Sequence, residues 1–238
     1  HRENYMIFTE PLEFRINPEY AHEDELVQIV TEFRKAYEAG EVDEADYDKF
    51  LKGYGEYLIV DKPTFVNNMK FMIQYQFGYM YVRYLLWNFV GRQSDVQGKY
   101  DNTNGNWLSG ITFIDEIFIG TQKDLPSDMQ NNKGRNTYFF LPFILAIIGM
   151  VFQAKKDIKS FYVLLVLFLF TGLALKVYLN ERPFEPRERD YALVGSFYVF
   201  AMWIAYGVYA IFDTLKKYIQ PKTAFPVVLG LSLIASPV

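Results

Sequence analysis

Long apolar runs separated by short polar connections dominate the second half of the chain. Three runs, at 138–152, 161–178 and 192–212, hold almost no charged residues, and a fourth begins at 225 and continues to residue 238. A transmembrane helix needs about 20 mostly apolar residues in succession. The pattern therefore predicts an all-α integral membrane protein, in which residues 137–238 form three complete transmembrane helices and a truncated fourth.

The first part of the chain is more polar and is predicted to be a helical extramembrane segment covering residues 1–63. Leu26, Val30 and Phe33 recur at helical spacing after an acidic first turn, which suits the positive end of a helix dipole. Gly40 follows this pattern at the position where glycine commonly ends a helix.

Residues 64–136 combine an aromatic helix with a long loop rich in Gly and Asn. Up to residue 90, Tyr, Phe and Trp alternate with Asn, Gln and Arg83, which predicts an interfacial amphipathic helix with its rings at headgroup depth. A helix packed on its neighbours fits the same pattern, and Arg83 suits either lipid headgroups or an aromatic ring. Loops as long as 91–136 are usually functional or disordered, and the large apolar residues here argue for burial.

Lysines indicate the side of the membrane on which each connection lies. Six of them occupy the connections after the first and third runs: Lys155, Lys156, Lys159, Lys216, Lys217 and Lys222. Cytoplasmic loops carry an excess of lysine and arginine, which places both connections in the cytoplasm. Residues 1–136 and the connection 180–191 are then periplasmic.

Composition excludes several functional classes. The 238 residues include no cysteine and only two histidines, so thiol chemistry and a His- or Cys-based metal site lack their ligands. The net charge of −4 argues against a nucleic-acid partner. The Asp46-Tyr47-Asp48 pattern favours a solvated acidic helix face over a metal site. Asp115 and Glu116 are adjacent, so they are expected to point apart and not to act as a pair.

The connection 180–191 is the strongest candidate for a functional site. Its charged residues are Arg182, Arg187, Arg189, Glu181, Glu185, Glu188 and Asp190. Guanidinium groups bind phosphate through two parallel hydrogen bonds, and two prolines stiffen the backbone that carries them. The pattern suits a lipid-linked phosphate at the bilayer rim. A surface loop that neutralises its own charges is the alternative.

Two sets of residues also carry a family resemblance. The first is NERPFEPRERDYA at 180–192, followed by VGSFY at 194–198. The second comprises YMYVRY at 79–84, WNFVGRQ at 87–93, GNWLSGI at 105–111 and NKGRN at 132–136. Between about residues 60 and 212, the chain resembles multi-pass inner-membrane proteins of Bacteroidetes-type bacteria. That family was long described as a domain of unknown function and is now described as protein O-mannosyltransferase-like.

The resemblance implies a glycosyltransferase of the GT-C type. Such enzymes transfer a sugar from a polyprenyl-phosphate donor, here to a periplasmic protein or an envelope glycan. Their catalytic acid lies in the first extracytoplasmic loop, which is expected upstream of this chain, so no catalytic residue is predicted. The chain starts without Met and stops in an apolar run, as a piece of a longer protein would.

The site residues follow from the chemistry of the connection 180–191, with which the resemblance agrees. Arg182, Arg187 and Arg189 are predicted to bind the donor phosphate, with no metal. The supporting residues are expected to be Glu181, Glu188, Asp190, Tyr191, Asn88, Arg92 and Gln93. The alternative function is a non-catalytic scaffold or subunit of a bacterial envelope complex. A transporter ranks last, because its spans would need more polar residues near their middles.

Overall fold

The computed structural model describes residues 2–98, 100–181 and 190–235. Its contacts divide the chain into two compact units, His1–Tyr75 and Gln76–Val238. The described residues are mostly helical, as predicted, and four short strands in two small sheets add to the expected all-α fold.

The first unit is built from four helices and one antiparallel strand pair. They are α1 (Arg2–Met6), β1 (Phe14–Ile16), α2 (Asp24–Glu38), α3 (Glu44–Gly53), β2 (Leu58–Val60) and α4 (Phe65–Phe71), with a 3₁₀ turn at Pro18–Tyr20. The sequence signals for α2 are confirmed: the helix ends at Glu38, and Gly40 has a φ of +76°, a left-handed conformation that glycine adopts without strain. The Asp43 carboxylate accepts a hydrogen bond from the Asp46 N–H and caps α3.

An aromatic core holds the first unit together. Phe33 and Phe50 stack with their ring centroids 3.7 Å apart, and Phe14 and Tyr47 complete the group. The Tyr47 hydroxyl is buried and donates a hydrogen bond to the Leu12 carbonyl at 2.8 Å. Burial raises the pKa of Tyr47 to about 12, because the phenolate would lose its hydration.

The raised pKa of Tyr47 predicts a loss of stability at high pH. Below pH 10 the phenol is protonated in both the folded and the unfolded chain, so it adds no pH dependence. As the pH rises from 10 towards 12, the unfolded chain releases this proton and the folded chain keeps it, so the free energy of unfolding falls. The difference in unfolding free energy between wild type and Tyr47→Phe should be constant below pH 10 and decrease above it. Parallel pH curves for the two proteins would contradict the prediction.

The second unit contains the apolar helices and the long loop. Its elements are α5 (Arg83–Phe89), β3 (Gly91–Arg92), α6 (Thr112–Ile119), α7 (Ser127–Gln130), β4 (Asn136–Thr137), α8 (Leu141–Lys156), α9 (Ile158–Leu169), α10 (Leu175–Leu179), α11 (Asp190–Leu215) and α12 (Pro221–Ala235). A π-helical segment at Met72–Val82 leads into α5, and another at Phe170–Ala174 joins α9 to α10.

Two helices among the described residues are long and apolar enough to cross a membrane. They are the continuous helix Ile158–Leu179 and the helix Tyr191–Leu215. The predicted first run forms α8, which has 16 residues, and the fourth forms α12, which has 15. At a rise of about 1.5 Å per residue, α8 is ~24 Å long, shorter than a hydrocarbon core of ~30 Å. Three complete transmembrane helices are therefore not confirmed.

The three helices α8, α9 and α11 pack side by side. The Phe143 ring lies 5.7 Å from Phe200, and the Phe152 ring lies 5.6 Å from Tyr209, so α8 and α11 run parallel. The helix α9 runs antiparallel to α11, because Phe168 contacts Phe200 while the earlier Phe161 contacts Trp203 further along α11. The three helices therefore alternate in direction, with α9 antiparallel to both of its neighbours.

The later part of the aromatic helix packs against these apolar helices. Tyr81 and Tyr84 are buried in the same core as Phe200 and Trp203, and the Tyr81 hydroxyl hydrogen-bonds the Ser196 hydroxyl. Residues 76–89 therefore pack on neighbouring helices, which is the second of the two interpretations that the sequence left open. Arg83 is also buried: its Nε donates to the Tyr79 carbonyl at 3.0 Å and its guanidinium lies over the Tyr79 ring.

Candidate functional site

The arginine-rich connection joins the ends of the two membrane-length helices. One of them ends at Leu179 and the other begins at Tyr191. Arg182, Arg187, Arg189 and Glu188 lie outside the described residues, and only the backbone of Asp190 is described, as the first residue of α11. Tyr191 is exposed. The described part of the site is therefore the pair of helix ends that carries the connection.

A buried ion pair holds the start of the connection. The Lys176 ammonium lies 2.6 Å from a Glu181 carboxylate oxygen, and the exposed fractions of the two residues are 3% and 8%. Lys176 belongs to α10, at the end of an apolar 22-residue helix, and Glu181 is the last described residue before the arginines. Ionisable residues are rare in such helices because their charge must be removed from water, and they usually mark function.

Two amides fix the turn between the ion-pair residues. Asn180 ends α10 in a left-handed conformation with a φ of +41°, which lets the chain leave the helix axis. The Gln76 side chain donates a hydrogen bond from Nε2 to Oδ1 of Asn180 at 3.1 Å. Four polar side chains thus converge beside the arginine-rich connection and set the direction in which it starts.

The three predicted supporting residues of the WNFVGRQ motif at 87–93 lie together at the start of the long loop. The Asn88 amide donates to the Tyr84 carbonyl within its own helix, at 2.9 Å. The Arg92 guanidinium lies over the Trp87 ring, 4.0 Å from its centroid. The Nε of Arg92 is buried and makes no hydrogen bond to the part of the chain that the structure describes. Gln93, 1% exposed, is the centre of a network of amides.

That network organises the loop from within. The Gln93 Nε2 donates to the Asn102 carbonyl at 2.7 Å and to the Gln122 side chain at 3.1 Å, while its Oε1 accepts from Asn106 at 2.9 Å. Each end of the Gln93 amide is therefore engaged inside the protein. The structure gives Gln93 a role in holding the loop, whereas the buried Nε of the neighbouring Arg92 is not engaged by any described residue.

A second cationic group lies in a small cavity of about 220 Å³ beside α6. Arg135 and Lys123 line it together with Glu116. Burial lowers the pKa of the Arg135 guanidinium, and the nearby Asp115 carboxylate opposes that shift. The Nη1 of Arg135 is buried and makes no hydrogen bond to the described residues. In the sequence Arg135 belongs to the NKGRN motif at 132–136, and its position with Lys133 just before the first apolar run was the available signal.

The carboxylates considered from sequence are held by their own surroundings. Asp115 is buried and accepts hydrogen bonds from the Ser109 N–H and hydroxyl, both at 2.8 Å, and from the Gly110 N–H at 2.9 Å. Glu116 is exposed, so the two residues point apart as predicted. Asp46 lies on the surface, whereas Asp48 is buried against Lys52, which differs from the solvated face expected for both.

Within the described residues, no three His, Asp or Glu side chains lie close enough together to hold a metal ion. Comparison with known proteins gives no matching family model, no matching curated protein and no matching solved structure.

Proposed function

We propose that the chain is part of an integral membrane glycosyltransferase of the protein O-mannosyltransferase-like family, which uses a polyprenyl-phosphate sugar as donor. The acceptor would be a periplasmic protein or an envelope glycan. The protein would lie in the inner membrane of a bacterial cell. Residues 1–136 and 180–191 would then face the periplasm. In this arrangement α8 would be a third, short span.

One observation carries the proposal: three arginines follow directly on a buried ion pair between two helices of membrane length. Because Ile158–Leu179 and Tyr191–Leu215 are each long enough to cross a bilayer, their connection would lie at its surface. The phosphate of a polyprenyl donor lies at the same depth. The Lys176–Glu181 pair and the Asn180 turn support a fixed starting geometry for the connection.

The proposed role of the arginines is electrostatic. In the transfer, the acceptor oxygen bonds to the anomeric carbon, its proton passes to a base, and the bond from that carbon to the donor phosphate breaks. Negative charge then grows on the leaving polyprenyl phosphate. Arg187 and Arg189, supported by Arg182, would neutralise this charge through paired hydrogen bonds, and fixed cations stabilise such a transition state more than mobile water does.

Arg187→Ala is therefore expected to lower sugar transfer by about 100-fold, the effect typical of removing one group that stabilises transition-state charge. Transfer would be measured in membranes containing the protein, with polyprenyl-phosphate mannose as the donor and the native envelope fraction as the acceptor. Arg187→Lys keeps the charge but not the two-pronged geometry, and it should restore only part of the rate.

Arg15→Ala is a matched control, because Arg15 is an exposed arginine in β1 of the first unit. It should leave both membrane insertion and transfer unchanged. If Arg187→Ala inserts normally and transfers sugar at the wild-type rate, the proposed phosphate-binding role is wrong. The non-catalytic scaffold would then be the better explanation of the arginines.

A further inference from the structure

A short helix of the long loop exposes large apolar side chains that its own unit does not cover. In α6, the exposed fractions are 74% for Phe113, 63% for Ile117 and 63% for Phe118. Asp115 and Ile119 are buried on the opposite side and attach the helix to the unit. Exposed apolar patches of this kind mark contact with a partner or a membrane.

The residues of α6 are arranged around the helix as a surface helix requires. Successive residues are rotated by about 100°, which groups Phe113, Ile117 and Phe118 with the half-buried Ile114 on one broad apolar arc. The polar residues Thr112 and Glu116 lie outside that arc and are exposed. An apolar arc bordered by polar residues is the pattern of a helix lying in a membrane interface.

Ring contacts place α6 beside the start of α8. The Phe118 ring lies 5.2 Å from Trp107, Trp107 lies 5.9 Å from Phe140, and Phe140 lies 6.3 Å from Phe143 in α8. From there an exposed apolar surface continues along α8. Its members are Leu141, Ile144, Ile147, Ile148 and Val151. The exposed arc of α6 therefore adjoins a surface already suited to lipid.

The depth of this junction also favours lipid over water. Phe143 contacts Phe200, well inside the apolar stretch of α11 that begins at Tyr191. Because the two helices run parallel, the first residue of α8 lies beside a point on α11 that is about 10 Å beyond Tyr191 along the helix axis. The loop holding α6 thus reaches past the first turns of α11. Irregular backbone is tolerated at such a depth where it is buried in protein, and the Gln93 network provides that burial.

From these observations we infer that α6 is an interfacial anchor, with its Phe113-Ile117-Phe118 arc inserted among the headgroups and upper acyl chains of the bilayer. It would extend the apolar surface of α8, which is ~6 Å too short for the hydrocarbon core by itself. This inference rests on the proposed membrane location of the chain. It is independent of the phosphate-binding role of the arginines.

The absence of cysteine allows a direct test, because one introduced cysteine takes a single fluorescent label. Three variants of the whole chain would be reconstituted into vesicles of phosphatidylethanolamine and phosphatidylglycerol. Ile117→Cys reports on the apolar arc, and Thr112→Cys is the matched control on the polar side of the same helix. Val166→Cys, at an exposed position within Ile158–Leu179, reports on the span itself. All three positions are exposed, so the substitutions leave the core unchanged.

Lipids carrying a nitroxide quencher should reduce the fluorescence at Ile117→Cys by about twofold more than at Thr112→Cys, because the arc would be buried ~5–10 Å into the interface. A nitroxide near the headgroup should quench Ile117→Cys better than one near the acyl terminus. At Val166→Cys, the nitroxide near the acyl terminus should quench better than the one near the headgroup.

Equal lipid quenching at Ile117→Cys and Thr112→Cys, with strong quenching at Val166→Cys, would overturn the inference and leave the membrane location intact. Shielding of Ile117→Cys from both lipid nitroxide and aqueous iodide would also overturn it, since protein would then cover the arc. If lipid nitroxides do not quench Val166→Cys, both the proposed membrane location of the chain and the anchoring role of α6 are wrong.

Discussion

Gly207→Ala is expected to destabilise the protein by about 3 kcal/mol, although alanine is the better helix former. A Cβ atom at residue 207 would lie 2.0 Å from the carbonyl oxygen of Leu145 in α8. No rotamer change can relieve this contact, because the obstructing atom belongs to the backbone. The two parallel helices would have to move apart, and the packing of Phe143 on Phe200 would be lost with them.

Gly230→Ala is the matched control for this prediction. Gly230 lies in α12, and a Cβ atom there would meet nothing within 4 Å. The control should be neutral or stabilising by a few tenths of a kcal/mol, because alanine restricts the unfolded chain. Equilibrium unfolding of both variants in mixed micelles gives the comparison. Equal stability of Gly207→Ala and Gly230→Ala would mean that α8 and α11 do not approach each other at Gly207.

Gly149 makes the same contact from the other side, which allows a test of coupling. Its Cβ would lie 1.9 Å from the Trp203 carbonyl oxygen and 2.7 Å from the Gly207 nitrogen. Gly149→Ala alone should therefore cost about as much as Gly207→Ala. The double variant should cost less than the sum of the two, because the first substitution already separates the helices. Small residues at this interface are what close helix packing in a membrane requires.

The apolar runs predicted the helices of the second unit well, but not where each begins. The first run was expected at 138–152, whereas α8 extends from Leu141 to Lys156. Phe139 and Phe140 both have positive φ values, of 50° and 59°, so the backbone cannot be helical there. Pro142 near the start of α8 was the available signal, since proline suits the first turn of a helix. Hydrophobicity alone does not distinguish Phe139 in a loop from Phe143 in a helix.

Long-range partners explain why the aromatic helix was harder to interpret. Gln76 and Arg83 suggested an interface because they interrupt an apolar pattern. In the structure Gln76 bonds Asn180, 104 residues away, and Arg83 donates to the Tyr79 and Gly105 carbonyls. A polar residue with a buried partner and one in contact with headgroups look the same in a single sequence. The pairing of β3 with β4, in which Arg92 lies opposite Asn136, 44 residues further along the chain, could not be predicted for the same reason.

The candidate site was predicted from the arginines, yet its best described feature is Lys176. The sequence showed a lone lysine near the end of an apolar run, where a snorkelling side chain that keeps its charge in water is the usual expectation. The turn at Asn180 instead brings Glu181 back to it within 2.6 Å. Such a turn depends on a left-handed residue, and Asn is one of the few residues that adopt that conformation readily.

Lys176→Met is expected to lower the free energy of unfolding by about 3–5 kcal/mol, because it removes the ammonium group that lies 2.6 Å from the buried Glu181 carboxylate and breaks the buried pair. Lys49→Met is the matched control: it removes the Lys49–Asp46 pair, with a 2.8 Å separation but with side chains 75% and 55% exposed. Exposed pairs of this kind contribute less than about 1 kcal/mol, so the control should unfold almost as wild type does. A similar loss in both variants would contradict a buried pair at Lys176.

The double variant Lys176→Met/Glu181→Leu separates stability from function. With both charges gone, no buried carboxylate is left unpaired, and most of the stability should return. If the pair also fixes the start of the arginine-rich connection, sugar transfer should stay about 10-fold or more below wild type despite the recovered stability, since small misplacements of charged groups are costly in catalysis. Full recovery of transfer would reduce the pair to a structural element. Stability and sugar transfer are measured separately. The experiment therefore distinguishes a pair that only stabilises the end of the helix from one that also positions the phosphate site.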